Sequence, residues 1–307
     1  MFELTGLGRR IENIFGDIRD AEAVRAAVFG FAPDIVLHLA AQSLVRPSYA
    51  HPVETFATNV MGTINLLQAV RETASIRAVV IVTSDKCYEN REWHWPYREA
   101  DKLGGGDPYS ASKACVEIAT AAWRKSFFAQ GGPAVATARA GNVIGGGDWA
   151  IDRLIPDCVL ALQAGETIQI RNPNATRPWQ HVLEPLTGYL RLAECLHIQG
   201  EFFAKSWNFG PSNDDIRPVS KIAGAVCAQW GGDAGWQVAA EAGPAEAGWL
   251  SVDSSLAKRE LGWRPRLTFD EALRWTVDWY RLHQRGGSPV DLVEGQIARY
   301  QNLLPPP

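Results

Sequence analysis

The chain has 307 residues, 46% hydrophobic and 21% charged, an ordinary globular composition for one large domain or two modest ones. Its net charge of -4 and the lack of a basic cluster give no reason to expect nucleic acid or an anionic membrane as partner. No apolar run approaches the length that spans a bilayer, and the opening "MFELTGLGRRIENIFGD" lacks the apolar segment of a signal peptide.

In chain order, "IENIF" (11–15) reads as a strand. The turn "GDIRD" follows, and then a short helix from about Asp20 to Phe29. "DIVLHLA" (34–40) is strand-like. Phe56, Val60, Ile64, Leu67 and Val70 stand near helical spacing and predict a helix from about 53 to 73. "AVVIV" (78–82) is apolar throughout and mostly β-branched, which suits a fully buried strand. A polar and aromatic loop (87–107) precedes a helix rich in small residues (109–128), and "AVATARA" (134–140) is the next strand. This alternation implies an α/β fold: a doubly wound parallel sheet with helices on both faces.

Past residue 141 loops, Gly and Pro become more frequent. A helix is expected at about 151–164. Another is expected at 268–283, where Thr268 and Glu271 stand in capping-box spacing. The tail "LLPPP" reads as frayed. The organisation expected is a sheet domain over 1–140 and a smaller lobe over 141–307, with some late elements returning to the sheet. The five cysteines, Cys87, Cys115, Cys158, Cys195 and Cys227, are odd in number and form no C-x-x-C. Reduced thiols in a cytoplasm are the simplest reading. The six histidines are scattered, and no metal is expected.

Ligands of such sheets bind beyond the carboxyl ends of the strands. Three polar strand ends meet there: "LHLAAQS", "VTSDKCY" and "ARAGNVIGGGDW". The second places Ser84, Asp85 and Lys86 in succession. Tyr109 and Lys113, four apart on a helix, share one face. An ammonium beside a phenol favours the phenolate, a base able to take a proton from an alcohol. Asp85 also has a bland reading as a turn or cap residue, and Lys86 as a solvated lysine. Trp93, Trp95 and Trp149 are candidates for the wall of a sugar pocket, although with twelve tryptophans many must be core.

With these motifs the sequence resembles the extended short-chain dehydrogenase/reductase family over nearly its whole length. The resemblance implies NAD as cofactor and a redox triad of Ser84, Tyr109 and Lys113. It places Asp17 and Ile18 of "GDIRD" at the adenine end. Leu39, Ala40, Ala41 and Gln42 of "HLAAQ" would lie along the phosphates and ribose. Asn59 of "TNVMGTINLL" would stand close to the cofactor.

Within the family, "TSDKCY" and "YSASK" resemble the sugar-nucleotide 4,6-dehydratases. Asp85-Lys86, "ENREWHWPYREADKLGGGDPYSASK" and "NPNATRPWQHVLEP" are most similar to the subgroup acting on CDP-glucose. The resemblance then implies a nucleotide-sugar substrate, with Asp85 as the acid for water loss. Lys86 would be either the base at C5 or the stabiliser of an enolate. Asn142, Arg153 and Arg177 would contact substrate; the competing readings are turn chemistry for Asn142 and a salt-bridged surface arginine for Arg177. A homodimer through the helices at 53–73 and 109–128 is implied, against the plainer reading that both only pack on the sheet. The same triad serves sugar-nucleotide epimerases, which need no acid and base for water loss.

One departure stands out. The family opens with strand, G-x-x-G-x-x-G and helix, which bring backbone and a helix N-terminus to the pyrophosphate. Here "GLGRR" (6–10) has other spacing, and the first βαβ unit is expected to be missing before Met1, leaving apolar sheet edges uncovered. A start codon placed too late, or an inactive remnant that does not hold NAD, are the two readings of that gap.

Overall fold

The computed structural model describes residues 1–212, 215–240 and 248–304. Pro305–Pro307 of the tail lie outside the described residues. Helix α1 spans Ala21–Phe31 and begins where the Asp20 carboxylate accepts the Glu22 and Ala23 amides. Strand β1 is Ile35–His38. A short helix α2, Val45–Ala50, precedes the expected helix at 53–73, which forms as α3 (Pro52–Phe56) and α4 (Gly62–Glu72). Pro52 has no amide to continue α2, so the chain breaks there. Between α3 and α4 a wider turn at Ala57–Met61 inserts one residue and carries Asn59 inward.

Strand β2 is Ala78–Val82, and helix α5 is Pro108–Trp123, prolonged by another wide turn through Phe128. Strand β3 is Ala134–Ala140, followed by β4 at Asn142–Ile144. Helix α6 is Leu154–Gln163. It starts later than the sequence implies because Asp152 takes a left-handed φ of 61° and Arg153 is extended. Strands β5 (Ile168–Ile170), β6 (Thr176–Arg177) and β7 (Trp179–His181) lead into α7, Leu183–Gln199. Then come β8 (Ser206–Phe209), β9 (Arg217–Pro218), α8 (Val219–Trp230) and β10 (Trp236–Val238). Helices α9 (Phe269–Gln284) and α10 (Pro289–Gln301) complete the elements, and α9 opens with the Thr268–Glu271 capping box.

The central sheet is parallel, in the order β1-β2-β3-β8. Alternation along the strands sorts the two faces. Ala78, Val80, Ala134, Ala136 and Ala138 pack toward Leu192 and Leu196 of α7. Val79, Ile81 and Val135 pack toward Leu67, Val70 and Val116 of α4 and α5. The sheet is therefore doubly wound, as the alternation of elements predicts. A second core joins Ile155, Val159, Ile168, Ile222, Leu273 and Trp279 beyond the carboxyl ends of the strands.

Residues 11–15 correct the sequence reading. They form no strand and are exposed throughout, and β1 carries no outer partner among the described residues. Without a paired edge, alternating apolar residues have no ladder to join. Ile35, Leu37 and Leu39 at that edge are accordingly exposed.

Candidate active site

The carboxyl ends of β2 and β3 face the second core across a cleft of about 330 Å³. Ser84, Lys86 and Tyr109 line it from the sheet side, and Asn142, Arg153 and Arg177 line it from the other. Arg177 is 5% exposed, so it is not a surface arginine. Arg46, Asp152, Arg171, Trp179 and Tyr189 also line the cleft and escaped the sequence reading. Asp152 accepts from both Arg46 (2.5 Å) and Arg171 (3.1 Å), and so ties α2 to the segment after β5.

At the end of β2 the chain makes one tight turn, Asp85–Cys87. Ser84, not Asp85, caps it: the Ser84 hydroxyl accepts the Lys86 amide at 3.2 Å. That hydroxyl donates to Asp85 Oδ1 at 3.1 Å, and Lys86 Nζ reaches the same oxygen at 3.4 Å and Asn142 Oδ1 at 3.4 Å. Asp85 is 1% exposed, and its Oδ2 has no hydrogen-bond partner among the described residues. That atom lies against Gly141, where a Cβ would stand 2.6 Å from the Pro178 ring and 3.3 Å from Oδ2. A side chain at 141 would therefore clash with Pro178 and press on the carboxylate. A buried carboxylate oxygen left without a donor is costly, and such groups concentrate where chemistry needs them.

Helix α5 is started by Asp107, whose carboxylate accepts the Ser110 amide at 2.9 Å, and by Pro108 in the first turn. It buries Tyr109 and Lys113 against the β2 end. Burial raises the Tyr109 phenol to about 12, although a hydrogen bond with Ser84 opposes the rise. Burial lowers Lys113 to about 8, with Glu117 supporting its charge. Burial of Tyr109 thus acts against the expected phenolate in this arrangement. Loss of solvent outweighs any help from the ammonium, which instead donates to the Val82 carbonyl at 3.3 Å.

The remaining candidates line other parts of the rim. Asn59 donates to the Gln42 carbonyl (3.0 Å) and Ser112 Oγ (2.9 Å) and accepts the Gln42 amide (2.8 Å). It therefore ties the segment Leu39–Gln42 to α5. Leu39, Ala40 and Ala41 follow the open end of β1. Ile18 packs on Gly62 at the start of α4, and Asn65 donates to its carbonyl. Asp17 is held by the Arg19 side chain and amide, which bring its carboxyl down to about 2. Neither Asp17 nor Ile18 lines the cleft. The tryptophans are corrected: Trp93 stacks on Tyr97 beside Trp95, Trp149 meets Tyr280, and the cleft tryptophan is Trp179.

His38, unnoticed in the sequence, is buried at the end of β1 and bonds Thr63 Oγ1 at 3.0 Å. Burial, and then the Lys113 charge, lower it to about 4. Glu117 and Arg139 form a buried ion pair behind Lys113. Their signal was legible: Arg139 is the lone charge of an apolar and small-residue strand, and Glu117 follows Lys113 by four residues in a small-residue helix.

Comparison with known proteins agrees with this geometry. The family model described as GDP-mannose 4,6 dehydratase matches residues 4–207. CDP-glucose 4,6-dehydratase of Salmonella typhimurium is 47% identical, covering 98% of this chain and 86% of the relative. The structure of dTDP-glucose 4,6-dehydratase from Streptomyces venezuelae, solved with NAD bound, superposes with a TM-score of 0.76 at 28% identity, over 90% of this chain and 81% of that one. A UDP-glucose 4-epimerase from Stenotrophomonas maltophila gives a TM-score of 0.78 at 24% identity, over 92% and 87%, a likeness of fold alone.

Proposed function

The chain belongs to the GDP-mannose 4,6-dehydratase family, and from that premise we propose that it is an NAD-dependent lyase converting CDP-glucose to CDP-4-keto-6-deoxyglucose. The observation that carries this reading is the Ser84–Asp85–Lys86 turn facing Tyr109 across the head of one cleft. An epimerase has use for the serine and tyrosine but not for a buried carboxylate and an amine beside them.

The residues present fit a nicotinamide dinucleotide at its reactive end. The Lys113 ammonium has three donors and spends one on the Val82 carbonyl, and the rim beyond β1 is open beside it. Tyr109, Lys113, Asn59 and the segment Leu39–Gln42 would hold the nicotinamide riboside, with Asp17 and Ile18 toward the adenine. The chemistry NAD would supply when bound there is reversible acceptance of a hydride, taken from C4 and given back at C6.

The residues divide the remaining work. Ser84 orients the sugar 4-hydroxyl, and Tyr109 takes its proton. The 4-ketone acidifies the hydrogen at C5. Lys86, whose amine lines the cleft beside Asn142, serves that position. Asp85 gives the proton with which the 6-hydroxyl leaves as water. Arg153 and Arg177 face the diphosphate, which the planar guanidinium fork suits. We assign residues 1–140 to cofactor binding and 141–307 mainly to substrate. Exposed Val53, Met61, Ile118 and Phe127 on α3–α5 and the turns that prolong them support a homodimer, which light scattering would detect as a doubled mass. The five unpaired cysteines fit the cytoplasm.

The test is incubation of the chain with CDP-glucose and NAD. The expected product is lighter by one water and carries a 4-ketone, read by mass spectrometry. Recovery of CDP-galactose alone would replace the dehydratase by an epimerase, and no product would reject both.

A further inference from the structure

Resting on the reading above, we propose that Glu117 and Arg139 are positioning residues, a buried ion pair that clamps both ends of the Ser84–Cys87 turn and supplies the negative charge beneath Lys113. The geometry is closed on every side. Alternation along β3 points Thr137 and Arg139 at α5 while the alanines point at α7. Arg139 Nε meets Glu117 Oε1 at 2.9 Å and Nη2 meets Oε2 at 2.7 Å, a bidentate pair. Thr83 and Thr137 also donate to the carboxylate, and Ser206 Oγ lies 3.1 Å from it.

Thr83 immediately precedes Ser84. On the far side of the turn, Tyr88 immediately follows Cys87, and its hydroxyl accepts from Arg139 Nη1 at 2.8 Å while donating to Asn208 Oδ1 at 2.7 Å. The turn that presents Ser84, Asp85 and Lys86 thus hangs between a hydroxyl fixed on Glu117 and a phenol fixed on Arg139. Both anchors are buried, so the turn cannot shift without breaking a charged network.

Glu117 is also one helical turn from Lys113 and on its face. The charged and titratable groups facing Lys113 are Glu117 from α5, Cys87 from the turn and His38 from β1. Of these, Glu117 is the foremost in opposing the loss of charge caused by burial, with Cys87 after it. Burial alone raises the Glu117 carboxyl, but the Arg139 bond and charge, with the threonines, outweigh it and keep it lowered.

The experiment uses the unliganded chain with labelled lysine side chains, followed by NMR against pH. The Lys113 signal, assigned by its loss in Lys113→Arg, should titrate near 8. In Glu117→Gln it should move down by about one pH unit or more, the usual effect of losing a close opposite charge. Thr83→Val and Tyr88→Phe each remove one hydroxyl and leave the pair intact. They should leave the Lys113 titration in place, speed amide exchange at Lys86 and Cys87 about tenfold, and lower kcat by a similar factor with KM unchanged. An unmoved Lys113 in folded Glu117→Gln would overturn the electrostatic role. Unchanged exchange in both hydroxyl variants would overturn the clamp. Should Glu117→Gln fail to fold, Glu117→Asp, which draws the charge back from Lys113, takes its place in the titration with the same two outcomes, and the hydroxyl variants decide the clamp. Titration and exchange need no turnover, so absence of product from the unmodified chain would reject the proposed function alone.

Discussion

Asp85 is the residue on which the dehydratase reading turns. Its neighbour Ser84 caps the turn, so Asp85 is not needed as a cap, and its Oδ2 is left without a donor among the described residues at 1% exposure. Asp85→Asn keeps size and polarity but is a poor proton donor. Oxidation at C4 depends on Ser84, Tyr109 and Lys113 and should survive. The variant should therefore stall after the first half-reaction, with a 4-keto hexose nucleotide that has not lost water, and overall turnover down by about a hundredfold or more. Quenched-flow mass spectrometry separates the two ketones. Normal turnover in Asp85→Asn would leave the carboxylate a packing group only.

Helix α5 shows the same logic one level up, because the element that carries Tyr109 and Lys113 is set by its own start. Asp107 accepts the Ser110 amide and hydroxyl, and Ser48 Oγ accepts the Tyr109 amide at 3.2 Å. Asp107→Ala should cost about 1 kcal/mol of stability, the usual worth of an N-cap, measured by urea unfolding. It should also lower kcat, because the loosened first turn is the one that holds Tyr109. A loss of stability with kcat intact would separate the cap from the site. Elements of this kind were readable from the sequence: the α9 capping box, the buried strand β2 and the Y-x-x-x-K face all follow from local spacing. What stayed hidden depends on partners distant in the chain. The expected strand at 11–15 had the right pattern but no edge to pair with. The long helix at 53–73 formed but widened at Asn59, where a side chain bonded to Gln42 and Ser112 outweighs regular periodicity. Arg46 and Arg171 became visible as cleft residues only when Asp152 joined them across it.

The whole molecule is a parallel sheet and a second core that meet at the cleft, and each contributes a histidine buried as the neutral ring. His38 ends β1 in the sheet, and His181 ends β7 beside Trp275. Burial lowers both to about 4, against about 6.5 in an unfolded chain. The sign of the consequence is fixed by linkage. Above pH 6.5 both states are neutral at these rings, and the stability is fully present. As pH falls from 6.5 toward 4, the unfolded chain takes up protons that the folded chain refuses, and stability is lost. Each ring accounts for up to about 3 kcal/mol over that range, from the worth of a pKa difference of this size. The chain should therefore unfold in urea at progressively lower concentrations between pH 6.5 and pH 4. His38→Asn and His181→Asn should each flatten that slope, whatever they do to stability at neutral pH, because Asn has no proton to gain. The double variant should flatten it further, since the two rings belong to different halves of the molecule and unfold together only if the cleft joins one cooperative unit. A slope unchanged in both single variants would assign the acid sensitivity to carboxylates instead. A slope that flattens only for the half carrying the substitution, with two separate transitions, would show that sheet and second core unfold independently.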